Sequence, residues 1–593
     1  MEVPNWIKKR YLVLWAHFRR ENFTFDEVVK FLKGKFGDSE EQVKLILSYL
    51  KRGGYLMVKR SEKDLREKIY KLNELFPKTN HILTRQELDN VLKKAADIIR
   101  TSVDYTFILL LLFYKTMSDK FKREYEKKYK ELLKKGLGES EVREEVERRE
   151  WYDFYIPQNF LWENLGKDPL KLSENFSKAL KNLAQLNPDY KDIFDHFDFI
   201  EFIRNPENSE ILRQLYEIFS AYSFDSVSPD VLGDAYEWIL KYFAPTKAKE
   251  GEVYTPREVI RLMVEILKPQ PEKTLYDPAM GSGGMLIIAY QYVAEKYGKE
   301  KADTLTLYGQ ELNPKTLALA KMNILIHDIK NINVLQGNTL RSPKFKTGSY
   351  IKQFDYVIAN PPWNQKGYGE KELKKGEFWR ERFEFGFPTK QSADWAWIQH
   401  MLASAKDDGK VAVVIDTGAV SRGGREKEIR KKILEEKDWF ECIILLPEKL
   451  FYNTGAPGLI IIFNKNKPEQ RKDKILLINA SKEFVPGKPQ NSLGNENIKK
   501  IVRIYDEFKE VEGISKIITK ERARESDYNL SPSRFVSIIE EENYREIGEI
   551  VKEIKEVEKE RVEIEKKIEK ILSKLNVGAT FRLRGKTKEI KDG

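Results

Sequence analysis

From Gly251 onward the chain alternates short apolar runs with amphipathic stretches, and this rhythm constrains its fold more than any other feature. The runs are Thr274–Asp277, Leu305–Glu311, Ile332–Asn338, Phe354–Asn360, Lys410–Asp416, Phe440–Pro447 and Leu459–Asn466. Helical patterns lie between most of them. Strands that alternate with helices are joined by crossovers that lay helices on both faces of a sheet. The expectation is an α/β domain built on a mainly parallel sheet of seven strands.

The rest of the chain reads differently, and 593 residues are too many for one core. Residues 1–75 form a small unit. Thr24 with Glu27 and Ser39 with Gln42 are capping-box pairs that open two short helices. Arg52-Gly53-Gly54 then turns into the strand-like Tyr55-Leu56-Met57-Val58. Helices followed by a glycine turn and a β segment suggest a winged helix, either touching DNA or serving only for packing. Residues 84–245 are helical, with apolar positions three and four apart from Val91 to Phe121 and a capped start at Ser228-Pro229-Asp230. The α/β domain occupies 246–485. Residues 486–593 return to helix: Ile550, Ile554, Val557, Ile564, Ile568, Ile571 and Leu575 keep a three-four spacing, broken only at Arg561, which predicts a heptad helix over 547–575 and then a basic tail.

Composition excludes several classes. The longest apolar run, Tyr105–Tyr114, has ten residues, about half of what a membrane-spanning helix needs. The first residues carry no signal-peptide pattern. One cysteine, Cys442, allows no internal disulfide. These point to a cytoplasmic protein without membrane association. The net charge of +11 is compatible with a polyanionic partner. The five histidines, His17, His81, His196, His327 and His400, show no ligand spacing, so no metal site is expected.

Two constellations carry chemistry. Asp277-Pro278-Ala279-Met280-Gly281-Ser282-Gly283-Gly284 follows the first strand and opens a helix. Glycines there let the backbone turn tightly against a ligand, and Asp277 can accept hydrogen bonds from a charged ammonium. The segment lacks the Lys-Ser/Thr ending of a P-loop. Glu311 ends the next strand, where an acidic residue meets ribose hydroxyls, although it could also serve the dipole of the helix after Asn313. The second constellation, Asn360-Pro361-Pro362-Trp363, closes the fourth strand. An exocyclic aromatic amine is a poor nucleophile because its lone pair is delocalised into the ring. Hydrogen bonds from that amine to the Asn360 side-chain oxygen and the Pro361 carbonyl would draw the nitrogen towards tetrahedral geometry. The two prolines stiffen the acceptors, and Trp363 offers a face on which a flipped base can stack.

The pairing of Asp277–Gly284 with Asn360–Trp363 resembles the amino-methyltransferases that use S-adenosylmethionine, whose Rossmann-like sheet has seven strands. More narrowly, the chain resembles the modification subunits of type I restriction systems from about Thr84 to Asn529. The supporting segments are Tyr254-Thr255-Pro256-Arg257, Gln310-Glu311-Leu312-Asn313-Pro314, Ala320-Lys321-Met322-Asn323, Gln399-His400-Met401-Leu402, Leu450-Phe451-Tyr452-Asn453-Thr454-Gly455 and Tyr528-Asn529-Leu530. The resemblance implies transfer of a methyl group to N6 of a flipped adenine in DNA. It places Glu252, Val253, Tyr254, Thr255, Pro256 and Arg257 over the methionine end of the cofactor. Asp277, Ala279, Gly281, Ser282, Gly283 and Gly284 would cradle it, and Glu311 would hold its ribose. Asn338 stands where an Asp is usual, facing the cofactor's adenine, and Trp363 replaces the more common Phe or Tyr.

A partner is implied as well. About a hundred residues follow the α/β domain, with no module left to read bases. The resemblance points to a specificity subunit that reads DNA and binds two modification subunits, docking on the C-terminal helix and the N-terminal helical domain, with a restriction subunit completing the assembly. Two other readings stay open on the residues: an amino-methyltransferase acting on an RNA base or a protein glutamine, and a non-catalytic DNA-binding assembly subunit.

Overall fold

The computed structural model describes residues 3–19, 21–60, 68–73, 85–99, 104–195, 205–224, 227–228, 231–236, 238–239, 242, 255–451, 455–488, 490–537 and 547–574. Local capping sets its first elements. Helix α1 (Asn5–Phe18) leads through a short strand at Asn22–Thr24 to α2 (Phe25–Phe36) and α3 (Glu40–Arg52). The Thr24 hydroxyl accepts from the Glu27 amide at 3.4 Å while the Glu27 carboxylate accepts from the Thr24 amide at 2.7 Å. Ser39 and Gln42 repeat the exchange ahead of α3. Each such cap contributes about 1 kcal/mol. Strands Leu56–Arg60 and Lys68–Leu72 follow, and with Asn22–Thr24 they form a three-stranded antiparallel sheet with Lys68–Leu72 in the middle. Tyr11, Trp15, Phe23, Leu32, Ile46 and Leu50 fill the core beneath it.

The helical region that follows includes α4 (Arg85–Ile99), α5 (Thr106–Lys134), α6 (Leu172–Leu186) and α7 (Pro206–Ser220). The apolar run of Tyr105–Tyr114 opens α5 and is buried except at Phe107, which is half-buried, as expected of a helix that is apolar nearly all round. Among the described residues no helix is long and apolar enough to cross a membrane.

The α/β region begins with α8 (Arg257–Leu267) and β1 (Thr274–Asp277), followed by α9 (Gly284–Tyr297), β2 (Thr306–Glu311), α10 (Pro314–Ile326) and β3 (Ile332–Gln336). Then come β4 (Phe354–Ala359), α11 (Asp394–Ala403), β5 (Ala405–Asp416), β6 (Phe440–Leu445), β7 (Gly458–Asn464), β8 (Lys474–Asn479), α12 (Asn495–Glu507) and β9 (Ser515–Thr519). The strands lie in the order β3-β2-β1-β4-β5-β7-β6-β8-β9. All run parallel except β7 and β9.

The seven expected strands are all present, but the sheet has nine. The Ile475–Ile478 run pairs in parallel with β6 and is buried on both faces. Strand β9 then closes that edge in antiparallel register. The expectation of helix alone beyond residue 486 is corrected accordingly: Ser515–Thr519 is short and half-exposed, so it carries little apolar signal and acquires its state from pairing with β8.

The helical region does not stand apart from the sheet. Ala318, Leu319, Met322, Leu325 and Ile326 of α10 belong to the same apolar core as α4 and α5, and ion pairs Lys120–Asp328 and Lys321–Asp192 join the two regions. A separate unit contains α13 (Ile547–Lys574). Its Val551, Ile554, Val557, Ile564 and Ile568 are all exposed.

Candidate active site

Strand order reverses between β1 and β4: from β1 the chain steps outward to β2 and β3, then returns to lay β4 on the other side of β1. At such a reversal in an open α/β sheet helices leave in opposite directions, and ligands bind at the carboxyl ends of the two strands. Asp277 ends β1 and Asn360 follows β4. Leu275 and Tyr276 pair with Tyr356 and Val357. Continuing that register places Asn360 two residues beyond Asp277 on the neighbouring strand, about 8 Å away from the strand spacings.

The Asp277 carboxylate is 1% exposed and accepts the Ala279 amide at 3.0 Å, but no cation faces it among the described residues. Burial pushes this carboxyl up to about 8. The neighbouring Glu311 carboxylate adds to the rise, and the Ala279 hydrogen bond opposes it. A buried carboxylate beside a second one is a site that favours a positively charged ligand. The loop turns at Gly283, whose φ of 83° is left-handed and open to glycine at little strain. Glu311 is built into this loop: its two oxygens accept the amides of Gly281 at 3.0 Å and Asn313 at 2.8 Å. Asn323 of α10 donates to the Ser282 carbonyl at 3.2 Å and steadies the turn from behind.

The second constellation is more tightly held than the sequence suggests. The Asn360 side-chain amide donates through Nδ2 to Thr255 Oγ1 at 2.7 Å, and its Oδ1 accepts from the Trp363 indole Nε1 at 2.8 Å. Both ends of the amide are therefore engaged. Pro361 is buried, and Pro362 and Trp363 are half-buried. The Trp363 ring meets Phe451 edge to face at 4.9 Å and lies over Gly458 at the start of β7, where a Cβ would come within 2.9 Å of the indole. Trp363 was expected as a stacking face. In the structure its polar edge orients the residue that opens the motif.

The other expected residues divide. Thr255 reaches Asn360, as described. Arg257 pairs with Asp234 and donates to Gln291 at 2.8 Å, so its guanidinium joins α8 to neighbouring helices. Asn338 donates to the Tyr368 hydroxyl at 2.8 Å and accepts the Arg341 amide at 3.1 Å, which engages both ends of its amide inside the protein. Glu252, Val253 and Tyr254 lie outside the described residues, as do Tyr452, Asn453 and Thr454.

Three residues that sequence reasoning missed secure the loop. Asn364 follows Trp363 with φ of 52°; its amide donates to the buried Asp394 at 2.8 Å, and its side-chain oxygen accepts from Arg422 at 2.9 Å. Arg422 also pairs with Asp394, Asp416 and Glu426. Burial pushes the Asp394 carboxyl up, and the bonds from Asn364 and Arg422 oppose that shift. These residues are 30 and 58 positions from Asn364, so no local pattern could have joined them.

A sheet of this order with reversed strands β7 and β9 beyond β5, a left-handed glycine turn after β1 and Asn-Pro-Pro-Trp after β4 define a methyltransferase of the S-adenosylmethionine-dependent fold class. Residues 227–544, more than half of the chain, match the family described as N-6 DNA Methylase, and residues 88–219 match the HsdM N-terminal domain. The chain is 42% identical over 553 residues to the type I restriction enzyme MjaVII methylase subunit of Methanocaldococcus jannaschii, covering 91% of this chain and 92% of that one. It is 40% identical over 556 residues to the MjaVIII methylase subunit of the same organism, covering 91% and 93%. Among solved structures, the type I restriction-modification methyltransferase subunit of Streptococcus thermophilus superposes with a TM-score of 0.68 at 27% identity, over 77% of this chain and 100% of that one. The chain belongs to the N-6 DNA methylase family and, within it, to the methylase subunits of type I restriction systems.

Proposed function

We propose that this chain transfers the methyl group of S-adenosylmethionine to N6 of an adenine flipped out of DNA, as the modification subunit of a type I restriction-modification assembly. One observation carries the reading: the Asn360 amide is locked at the tip of β4, one strand from a buried carboxylate that no cation faces among the described residues. A side-chain carbonyl oxygen has two lone pairs. The indole N–H of Trp363 takes one, and the other is left for an N–H of the target amine. The Pro361 carbonyl is the second acceptor in this reading. Acceptors that are already fixed need no reorganisation when charge develops on the nitrogen.

The residues present fit the cofactor. Asp277 suits its ammonium, the Gly281–Gly284 turn admits close backbone approach, and the Glu311 carboxylate suits ribose hydroxyls. Ala279 and Ser282 complete the cradle, and Glu252 to Pro256 would lie across its open side, with Thr255 shared between cofactor and Asn360. When bound, S-adenosylmethionine supplies the electrophilic methyl group, and the protein need only align it with the base.

The reading extends to partners. The exposed apolar row of α13 is suited to a coiled-coil contact, and the relatives are named as subunits of type I restriction enzymes. A specificity subunit that binds two copies of this chain, with a restriction subunit joining them in the cytoplasm, is the assembly proposed. The test is transfer of radiolabelled methyl to DNA, RNA and protein, with Asn360→Ala as the reporter. Label entering DNA adenine, lost in Asn360→Ala while cofactor affinity stays largely intact, is the expected result. A variant with near-normal turnover would refute the role of Asn360.

A further inference from the structure

The charge of this protein is unevenly placed. Residues 1–73 hold 17 Lys and Arg against 10 Asp and Glu, a balance of +7, whereas the whole chain of 593 residues carries +11. This unit lies ahead of both segments that match known families, at 88–219 and 227–544.

Among the described residues of this unit, five of the six carboxylates are engaged in building the fold. Asp26 and Glu27 sit in the first turn of α2, and Glu40 and Glu41 in that of α3, where they complement the helix dipole. Asp38 is buried and paired with Arg10 at 3.0 Å. The cations gather elsewhere. Lys51 and Arg52 end α3, and Lys59, Arg60, Lys68 and Lys71 are exposed on the antiparallel hairpin. Arg60 and Lys68 are direct cross-strand partners. Like charges placed opposite each other destabilise a hairpin, and none of the four hairpin cations forms an ion pair among the described residues. The register also puts Met57 and Lys71 opposite one another, and Lys59 opposite Ile69, on one face. That face alternates Lys59 and Lys71 with Met57 and Ile69 and carries no aromatic ring, while Arg60 and Lys68 lie on the opposite face at the far end of the two strands.

We propose that the unit of residues 3–19, 21–60 and 68–73 forms a second duplex-DNA contact, with Lys59 and Lys71 on one side of the hairpin and Arg60 and Lys68 on the other seated on the phosphates that flank it, and α3 alongside. The proposal rests on DNA being the substrate. The element order, helix–strand–helix–helix–strand–strand, presents the third helix and the hairpin side by side, an arrangement that suits a groove and its flanking phosphates. A polyanionic backbone relieves the Arg60–Lys68 repulsion. Single-stranded nucleic acid is disfavoured, because sequence-tolerant binding of single strands relies on aromatic stacking. The unit is anchored through α1, where Lys8 meets Glu217 at 2.5 Å and Arg19 meets Asp168 at 2.9 Å, so DNA held here is held by the catalytic subunit itself.

The test uses the purified full chain and a fluorescent duplex of about 30 base pairs, long enough for a complete site, with anisotropy titrations over a series of salt concentrations. Each phosphate contact contributes roughly 0.9 to the slope of log affinity against log salt. Replacing all four cations by Gln is expected to lower that slope by about 3 to 4 and to weaken binding at low salt at least about tenfold. A companion variant with Lys59, Lys68 and Lys71 changed to Arg keeps charge and should keep the wild-type slope. Calorimetric cofactor affinity, unchanged in both, shows that the α/β region survives, and unchanged proteolytic protection of residues 3–73 shows that the mutated unit does. An unchanged slope in the Gln variant overturns the proposal, as does an equal loss in the Arg variant or a loss confined to a single-stranded probe. Methyl transfer by the wild-type chain with its specificity partner is measured on the same preparation. Absence of label in DNA would sink the methyltransferase reading and leave the binding result standing.

Discussion

Changing Trp363 to Phe tests how the catalytic amide is oriented. An Asn side chain can sit in either of two flipped states, and only one presents oxygen to the target amine. Thr255 does not choose between them, because its hydroxyl accepts from Nδ2 or donates to Oδ1 equally well. The Trp363 indole is a donor only, so its 2.8 Å bond to Oδ1 sets the orientation. A neutral hydrogen bond of this kind is worth about 0.5–1.5 kcal/mol net, and a flipped amide would turn an NH2 group against the indole N–H. Trp363→Phe removes the discrimination while keeping an aromatic ring over Gly458 and against Phe451. With that preference gone, the two flips become equally populated, so the methyl-transfer rate should fall by up to about 2-fold, with cofactor affinity unchanged. The assay is single-turnover transfer of labelled methyl to DNA in the presence of the specificity partner. Thr255→Ser, which retains the hydroxyl, serves as the control near wild type. An unchanged or faster rate in Trp363→Phe would refute the argument and show that the indole N–H competes with the base for Oδ1.

Asp277 makes a pH-dependent prediction. Its carboxyl is held at about 8 in the fold against 3.8 ordinarily, so between those values the folded protein keeps a proton that the unfolded chain has released. Stability of the cofactor-free chain should fall as pH rises across that window, and Asp277→Asn should remove this slope from thermal melts. A cationic cofactor prefers the ionised form, so calorimetric affinity for S-adenosylmethionine should rise as pH passes about 8, with Asp277→Asn about 10- to 100-fold weaker from the loss of a charge-assisted bond; a pH-flat wild type would contradict this. Gly283→Ala should destabilise by about 1 kcal/mol in denaturant unfolding, from backbone strain alone, because its new Cβ meets Ala320 at an ordinary 3.7 Å. A larger loss would mean that the loop cannot hold its turn. The chain alone should methylate DNA poorly and gain activity with its specificity partner; strong site-selective activity of the lone chain would count against the delegated-recognition reading.

The sequence by itself determined the frame. The period-two and three-four patterns specified seven strands, the capping boxes of α2 and α3 and the apolar opening of α5, because each depends on neighbours a few residues apart. It also placed Asp277, the glycine turn and Asn360 at strand ends, since a strand end and a turn are local features. Tertiary structure decided what joins those local pieces. The pairing of β8 and β9 enlarged the sheet from seven strands to nine, and α10 was shared between the helical region and the sheet. The Asn360 amide is held in place by Thr255, 105 residues away, and its orientation is set by the polar edge of a tryptophan that sequence alone casts as a flat surface. Asp394 and Arg422 took hold of Asn364 from distant elements in the same way. A hydrogen bond between remote side chains leaves no periodic trace, because it depends on direction and distance that exist only once the chain is packed.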